Sequence, residues 1–364
     1  MNTPTTAPST ADRPLIQELS SGLAVMSPPV NRQDDNEIVE QSVAPDQLVD
    51  QIVCGGAMDL YSQIESNSIP LIITSPAYYG CRQYGGGRNE LGREWHPMSY
   101  VENLIQHTLE WKRILAADGN LYLNLGDVYF GTKGFSRNTG LHKRKTDHHY
   151  EKHDKVRSEG CYTQYKQLLQ LPSQVSIRMA SLGWILRNEI TWTKPNANPS
   201  FSPDRRLPVH EKIFHFVKSD TNFFDFQTAK RLYSHRDHTM HGPEPFKKHQ
   251  ASFPETLVAP YVLTSSRIGD IVFDPFMGSG TVAVVAKRCK RHWIGFELVK
   301  ENCQDARERV ENTKVEPYSD EEIIQKNGIR NCQEAARRSR KRQRLARNAA
   351  MDSTKPNQSS CRQY

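Results

Sequence analysis

Short apolar runs and stretches of helical spacing follow one another from about residue 50 to about residue 300. Apolar or alternating runs predict strands at residues 71–74, 120–125, 185–192, 212–217, 271–273 and 293–296. Helical spacing or composition predicts helices at residues 100–115, 168–182, 258–263 and 281–288. Residues 62–69 predict a surface helix and turn, and Asp118-Gly119 is expected to end the helix before the strand at 120. Strands and helices in alternation predict an α/β fold.

The periodic region is flanked and interrupted by polar segments, which indicate the domain organisation. Residues 1–48 are rich in Ser, Thr, Pro, Asn and Asp and predict a flexible N-terminal segment, followed by a folded domain over 49–312. Two polar stretches rich in Lys, Arg and His, 131–165 and 220–250, are candidate recognition insertions in that domain. Residues 313–364 form a basic C-terminal tail.

Charge favours a polyanionic partner. The net charge is +7 and the pI about 8.9, although a solvated surface accounts for so modest an excess equally well. Residues 337–347 contain seven Lys or Arg and no acid, which predicts either non-specific contact with phosphates or a solvated tail.

Other features bear on compartment and on metal binding. Seven cysteines without a C-x-x-C pair favour reduced thiols in a cytoplasmic protein. No apolar run is long enough to predict a membrane span. His148, His149 and His153 cluster, but no Cys or carboxylate spacing accompanies them, so we expect no metal site.

The first candidate for chemistry is the glycine turn after the strand at 271–273. Gly278 and Gly280 permit close approach of the backbone to a ligand and leave free N–H groups at a helix start. Glu297 ends the next strand, 23 residues after Asp274. A carboxylate at that spacing suits a ribose diol, because it accepts hydrogen bonds from two hydroxyls. The glycines alone are equally well explained by packing.

The second candidate lies at the end of the strand at 71–74. There the apolar run stops at Ser75-Pro76, and Ala77, Tyr78 and Tyr79 follow.

These two stretches together resemble the amino-group DNA methyltransferases, which use S-adenosylmethionine. The cofactor loop of that family is similar to Asp274-Pro275-Phe276-Met277-Gly278-Ser279-Gly280-Thr281, and its catalytic loop is similar to Thr74-Ser75-Pro76-Ala77-Tyr78. The catalytic loop comes first here, which is the permuted order called β, and the resemblance covers about residues 52–310. It implies a Rossmann-like S-adenosylmethionine-dependent methyltransferase fold with circularly permuted motifs and polar recognition insertions.

The resemblance also implies roles for the cofactor loop and its neighbours. Asp274 is expected to hold the methionine amino group or to order the loop, and Glu297 to bind the ribose. Phe253 is expected to wall the adenine and the methionine. The remaining cofactor-binding residues lie in the glycine loop: Pro275, Phe276, Gly278, Gly280 and Thr281. The family usually has Gly-Asp where this chain has Gly55-Gly56; Asp59 is near but out of register.

An exocyclic amine is a poor nucleophile, because its lone pair is delocalised into the ring of the base. The Ser75 hydroxyl and the Pro76 carbonyl are expected to accept its N–H bonds and favour a geometry in which the pair points at the methyl donor. The base must first leave the duplex, and Tyr78 is the expected stacking platform for it. Attack is expected to be direct, with no covalent intermediate on the enzyme.

Two details favour cytosine N4 as the acceptor. No Pro-Cys dipeptide occurs, so the usual nucleophile for cytosine carbon 5 is missing. The loop begins with Ser75, as in cytosine-N4 enzymes, whereas Asp begins it in most adenine-N6 enzymes. Adenine N6 stays open because some adenine enzymes carry Ser. The expected partners are double-stranded DNA and a cognate restriction endonuclease, and the oligomeric state is left open.

Two further alternatives remain. Gly56 and Ala77 depart from the family pattern, which is compatible with a DNA-binding protein built on a decayed methyltransferase core. Methylation of RNA or protein is also open, because similar catalytic loops occur in such enzymes and the basic segments do not separate DNA from RNA.

Overall fold

The structure is a computed structural model that describes residues 48–81, 84, 90–94, 96–130, 166–194, 203–232, 235–240 and 253–326 of the 364. In these residues eight strands form one sheet. The strands are β1 (Gln51–Cys54), β2 (Ile69–Thr74), β3 (Leu115–Leu125), β4 (Ile185–Thr193), β5 (His210–Val217), β6 (His238–Met240), β7 (Ile271–Asp274) and β8 (His292–Glu297).

The helices connect these strands. They are α1 (Ala57–Leu60), α2 (Pro97–Ile114), α3 (Leu171–Ser181), α4 (Phe226–Arg231), α5 (Glu255–Ser265), α6 (Thr281–Arg288), α7 (Lys300–Glu311) and α8 (Asp320–Lys326). The predicted α/β architecture is confirmed, and all six predicted strands and four of the five predicted helices of the folded domain have counterparts here.

The sheet order β1-β8-β7-β2-β3-β5-β4-β6 places a switch point between β7 and β2. From β7 the chain passes through α6 to β8 on one side, whereas from β2 it passes through α2 to β3 on the other. β2 and β7 are parallel, so their carboxyl ends open at the same edge of the sheet. Ligands of open α/β sheets bind in the crevice at such a point.

β2 is covered on both faces, which explains its unbroken apolar sequence. Leu71 and Ile73 pack in one hydrophobic cluster, with Val272 of β7, while Ile72 packs in the opposite cluster, with Phe273. All of these side chains are at most 4% exposed. β2 and β7 are therefore anchored by the same two hydrophobic clusters, one on each face of the sheet.

Two predicted boundaries were wrong. A helix at residues 62–69 does not form: α1 lies earlier, a 3₁₀ turn covers Tyr61–Gln63, and Asn67, with φ of 61°, turns the chain into β2. Asp118-Gly119 does not end α2, because β3 already begins at Leu115. A bulge absorbs the dipeptide: Ile69 pairs with Leu115 and Leu71 with Asn120, so a two-residue step on β2 faces a five-residue step on β3.

Much of the predicted polar periphery lies outside the described residues. This is true of the 131–165 insertion, of the flexible segment except its last residue, and of the tail beyond 326, which includes the basic run at 337–347. The 220–250 insertion is described in part and contributes α4 and β6, the latter pairing with β4 at the edge of the sheet. None of the helices in the described ranges combines the length and hydrophobicity that crossing a bilayer requires.

Candidate active site

The ends of β2 and β7 are joined by one buried hydrogen bond. Thr74 Oγ1 donates to Asp274 Oδ1 at 2.7 Å, and the backbone N–H of Phe276 donates to the same oxygen at 3.0 Å. In the described part of the chain no donor binds the other oxygen, Oδ2. Asp274 is 2% exposed. Burial raises the pKa of Asp274 to about 7; the two hydrogen bonds oppose this shift, and the charge of Glu297 adds to it.

Replacing Thr74 by valine tests this link between the strands. The substitution preserves shape and removes one of the two donors to Asp274, so we expect a loss of about 1–3 kcal/mol in the free energy of unfolding at pH 8. Thr108→Val is the control, since Thr108 is also buried but its hydroxyl only bonds back to Ile105 within α2. Equal stability losses in the two variants, measured by denaturant unfolding, would contradict a special role for the Thr74 bond.

The glycine loop is shaped by its backbone and by Glu297. Gly278 and Gly280 have φ of 53° and 79°, a region that side chains disfavour. A Cβ on Gly280 would also lie 3.2 Å from Cβ of Ala306 in α7. The Gly278 N–H donates to Glu297 Oε2 at 2.8 Å, and the Val299 N–H donates to Oε1 at 2.9 Å. Glu297 is 8% exposed, so its carboxylate is fixed at the end of β8.

One cavity of about 510 Å³ unites the two loops that the sequence singles out. Ser75 and Ala77 of the first loop line it, together with residues of the second loop and its surroundings: Phe253, Asp274, Pro275, Phe276, Met277, Gly278, Ser279, Thr281 and Glu297. Three predicted site residues do not line it. Pro76 is buried, Gly280 contacts α7, and Tyr78 points into a polar network next to the cavity.

That network surrounds Ser75. Asn124 Nδ2 lies 3.2 Å from Ser75 Oγ, 2.8 Å from the Tyr78 hydroxyl oxygen and 3.1 Å from Glu211 Oε2. The Tyr78 hydroxyl donates to Glu211 Oε2 at 2.7 Å, and Ser75 Oγ lies 3.3 Å from the same hydroxyl. Lys194 forms an ion pair with Glu211. Burial, followed by the charge of Glu211, raises the pKa of Tyr78 well above its ordinary value, so the phenol stays neutral.

Sequence reasoning did not identify Asn124 or Glu211. Asn124 is near the end of β3 and Glu211 near the start of β5, which runs antiparallel to β3. Because β5 runs antiparallel to β3, the start of β5 lies at the same edge of the sheet as the carboxyl ends of β2, β3 and β7. The only sequence signal for them is that each is a polar residue in a largely apolar strand. Such a residue indicates a special position in its own strand but does not indicate which side chain it contacts.

Buried aromatic side chains pack against Phe276 of the glycine loop. The ring of Phe276 lies 5.0 Å from that of His107, whose Nδ1 is 2.9 Å from the Tyr61 hydroxyl. Trp111 Nε1 donates to the same hydroxyl at 2.7 Å. Burial lowers the pKa of His107 to about 4, so it is neutral at pH 7 although it lines the cavity. We interpret it as a support for the loop.

Asp59 occupies the space next to Gly56. A Cβ built on Gly56 would lie 2.8 Å from Asp59 Oδ2, and both residues line the cavity. The side chain of Asp59, three residues on in α1, therefore reaches the place where a side chain at position 56 would begin. A carboxylate is present at this wall of the cavity although the register of the sequence differs.

The described residues contain no group of three or more His, Cys, Asp or Glu side chains that a metal ion requires, and His148, His149 and His153 lie outside them. The residues that line the cavity do fit S-adenosylmethionine. The cavity has the size of a small-molecule site. It offers buried carboxylates at the ends of β7 and β8, a glycine turn without side-chain bulk at Gly278, and the apolar side chain of Phe253.

A Rossmann-like sheet with these groups at its switch point defines an S-adenosylmethionine-dependent methyltransferase. The chain belongs to the DNA methylase family N6_N4_Mtase, whose model matches residues 69–308. It is therefore an amino-methyltransferase, as its two loops predict.

Similar proteins cover most of the chain. Type II methyltransferase M.XycI of Xanthomonas campestris pv. cyanopsidis is 32% identical over 283 residues, 75% of this chain and 92% of that protein. Type II methyltransferase M.Cfr9I of Citrobacter freundii is 33% identical over 279 residues, 72% of this chain and 88% of that protein.

Solved structures agree in fold. The cytosine-N4-specific PvuII DNA methyltransferase has a TM-score of 0.56 at 21% identity, over 77% of this chain and 92% of that one. A putative DNA modification methylase of Thermus thermophilus, in complex with S-adenosylmethionine, has a TM-score of 0.51 at 22% identity, over 71% of this chain and 92% of that one.

Proposed function

We propose that this protein transfers a methyl group from S-adenosylmethionine to the exocyclic N4 amine of cytosine in duplex DNA, at a specific site. The observation that carries the proposal is that Ser75 and the glycine loop line the same cavity. A serine hydroxyl and a cofactor loop that approach one space from neighbouring strands give an amine and a methyl donor a common meeting point.

The cofactor-binding roles follow from charge and burial. We assign the ammonium group of the methionine moiety to Asp274, whose Oδ2 has no donor among the described residues. Glu297 accepts the ribose hydroxyls mainly through Oε2, which retains a lone pair beyond its bond from the Gly278 N–H; Oε1 already accepts from Val299 N–H and Asn302 Nδ2. Phe253, half-buried at the wall, packs against the adenine. Pro275, Phe276, Gly278, Gly280 and Thr281 shape the loop.

The chemistry requires positioning of the amine. S-adenosylmethionine, when bound, supplies an electrophilic methyl group. Ser75 Oγ and the Pro76 carbonyl oxygen each accept one N–H of the target amine, which turns its lone pair away from the ring. Asn124 and Tyr78, neither of which lines the cavity, hold the Ser75 hydroxyl. No protein nucleophile takes part.

Ser75 is also the basis for choosing cytosine over adenine, because Asp-Pro is the commoner start in adenine-N6 enzymes. Extrusion of the base costs a few kcal/mol. With the hydroxyl of Tyr78 held by Glu211, its ring is fixed against Gly126, where a Cβ would lie 2.5 Å from it. A rigid ring beside Ser75 suits a stacking platform for the base.

The two relatives bear the designation Type II methyltransferase, which supports a restriction endonuclease acting on the same site as a partner.

The test is a methylation assay with radiolabelled cofactor and duplex DNA, followed by digestion to nucleosides. We expect the label in N4-methylcytosine. Label only in N6-methyladenine would replace the base assignment and keep the enzyme class. Duplex DNA and structured RNA are then offered in competition, and preferential labelling of RNA would contradict DNA as the substrate.

The departures at Gly56 and Ala77 favour one alternative, a DNA-binding protein with a decayed core. Titration calorimetry separates the two functions. Tight binding of DNA with no measurable binding of S-adenosylmethionine would favour the decayed core.

A substitution of Asp59 tests whether its carboxylate replaces the acid that the family usually has at the position of Gly56. We expect Asp59→Asn to weaken S-adenosylmethionine binding about two- to fivefold, because an exposed carboxylate attracts the cationic cofactor only modestly. Glu65→Gln removes an exposed acid outside the cavity lining and should leave the dissociation constant unchanged. Identical constants for both variants in calorimetry would show that Asp59 does not substitute for the missing acid.

A further inference from the structure

The polar network beside the cavity has a fixed direction of hydrogen bonding. A carboxylate only accepts, so the Tyr78 hydroxyl must donate to Glu211 and the amide nitrogen of Asn124 must face it. The two hydrogens of Asn124 Nδ2 are shared among the oxygens of Ser75, Tyr78 and Glu211, and the phenol oxygen keeps acceptor capacity for the Ser75 hydroxyl. With its own proton directed at Tyr78, the Ser75 oxygen has two lone pairs, and one takes Asn124 Nδ2. The other is left for the substrate amine.

We propose that Ser75, Tyr78 and Glu211 form a proton relay that removes the proton lost by the amine, with Glu211 as its terminal acceptor. The inference rests on the proposed function, because it assigns the fate of a proton in that reaction. The three oxygens are linked in order by contacts of 3.3 Å and 2.7 Å. They lead from the cavity wall, at Ser75, to the Glu211 carboxylate.

The step balances in atoms and charge. The amine lone pair forms the new N–C bond, the C–S bond breaks, and its electrons stay on sulfur. The nitrogen, now positive, gives a proton to Ser75 Oγ. The Ser75 proton passes to the Tyr78 oxygen and the Tyr78 proton passes to Glu211 Oε2. Both hydroxyls end neutral with one proton each, and Glu211 ends as a neutral acid.

The surroundings of Glu211 suit a terminal acceptor. Lys194, from the exit of β4, pairs with Glu211 Oε1, so the carboxylate is held in place by a cation while its other oxygen, Oε2, faces Tyr78. The Glu211 side chain is 14% exposed and that of Lys194 30%, so the collected proton has a route to solvent. The Tyr78 phenol, neutral and held against Gly126, passes protons without carrying charge.

Glutamine and alanine at position 211 separate a relay from simple positioning. Glu211→Gln keeps an acceptor for the Tyr78 hydroxyl but cannot take up a proton, whereas Glu211→Ala removes both capacities. For the full-length protein with DNA and S-adenosylmethionine we expect both variants to lose about 10- to 100-fold in single-turnover rate. Dissociation constants for DNA and cofactor should stay unchanged. A rate for Glu211→Gln close to wild type would overturn the relay and leave a positioning role.

Tyr78→Phe breaks the relay in the middle and retains the ring. Members of one relay act as a unit, so the double variant with Glu211→Gln should lose no more than the worse single variant. Multiplicative losses would overturn the proposal. Glu189→Gln is the matched control. Glu189 lies on the exposed part of β4 and pairs with Lys212 of β5, so this variant should methylate at the wild-type rate. A wild-type protein without methylation activity would instead contradict the proposed function itself.

Discussion

Ser75→Ala is expected to lower the single-turnover methylation rate about 100- to 1,000-fold while binding of S-adenosylmethionine stays within about twofold of wild type. The hydroxyl acts on the amine, and a positioned group that stabilises charge in the transition state is typically worth that much. In the proposed function the cofactor is held elsewhere, by Asp274 and Glu297 at the ends of β7 and β8. Quenched-flow labelling gives the rate, and titration calorimetry gives the binding constant.

Ser62→Ala serves as the control. Ser62 is exposed, and its hydroxyl has only a 3.5 Å contact with the Asp59 carbonyl, so its removal should change neither quantity. An active Ser75→Ala variant would mean that the Pro76 carbonyl suffices to hold the amine. A variant that loses cofactor binding as well as rate would place Ser75 in the cofactor site instead.

The sequence predicts the strands and the loops at their ends because both depend on local chemistry. A β-branched run that stops at Asp274, followed by glycines and then by Glu297, contains its own evidence of a ligand turn. Ser75-Pro76 likewise ends an apolar run. Parallel strands open at one edge, so the meeting of these loops follows once the strands are neighbours.

Glu211 and Asn124 depend on information of another kind. Their place beside Ser75 results from antiparallel pairing of β3 with β5, which register alone decides, and no local pattern encodes register between strands so far apart. The 62–69 boundary was wrong for a related reason: tertiary burial of Tyr61 favours an earlier, tighter turn over local helix propensity. Asp59 was discounted on register, although its side chain reaches back to Gly56.

Asp274→Asn is expected to weaken S-adenosylmethionine binding at pH 8 by about 10- to 100-fold, because a hydrogen bond between charged groups is lost. In the wild type the affinity should fall as the pH drops below about 7, since Asp274, with its pKa raised to about 7, is then protonated and no longer attracts an ammonium group. Asp270→Asn, on the loop before β7, is the control and should keep the wild-type profile.

The same carboxylate should destabilise the free protein at high pH. Its folded-state pKa, about 7, lies above the ordinary 3.8, so the folded state binds the extra proton between those values. Stability from this group is therefore full below about pH 4 and is lost as the pH rises to about 7, a total of about 4 kcal/mol at 1.36 kcal/mol per pH unit. Asp274→Asn lacks that loss and should unfold at higher denaturant concentration than wild type at pH 8. Wild-type stability with no such difference between pH 5 and pH 8 would indicate that Asp274 is ionised throughout.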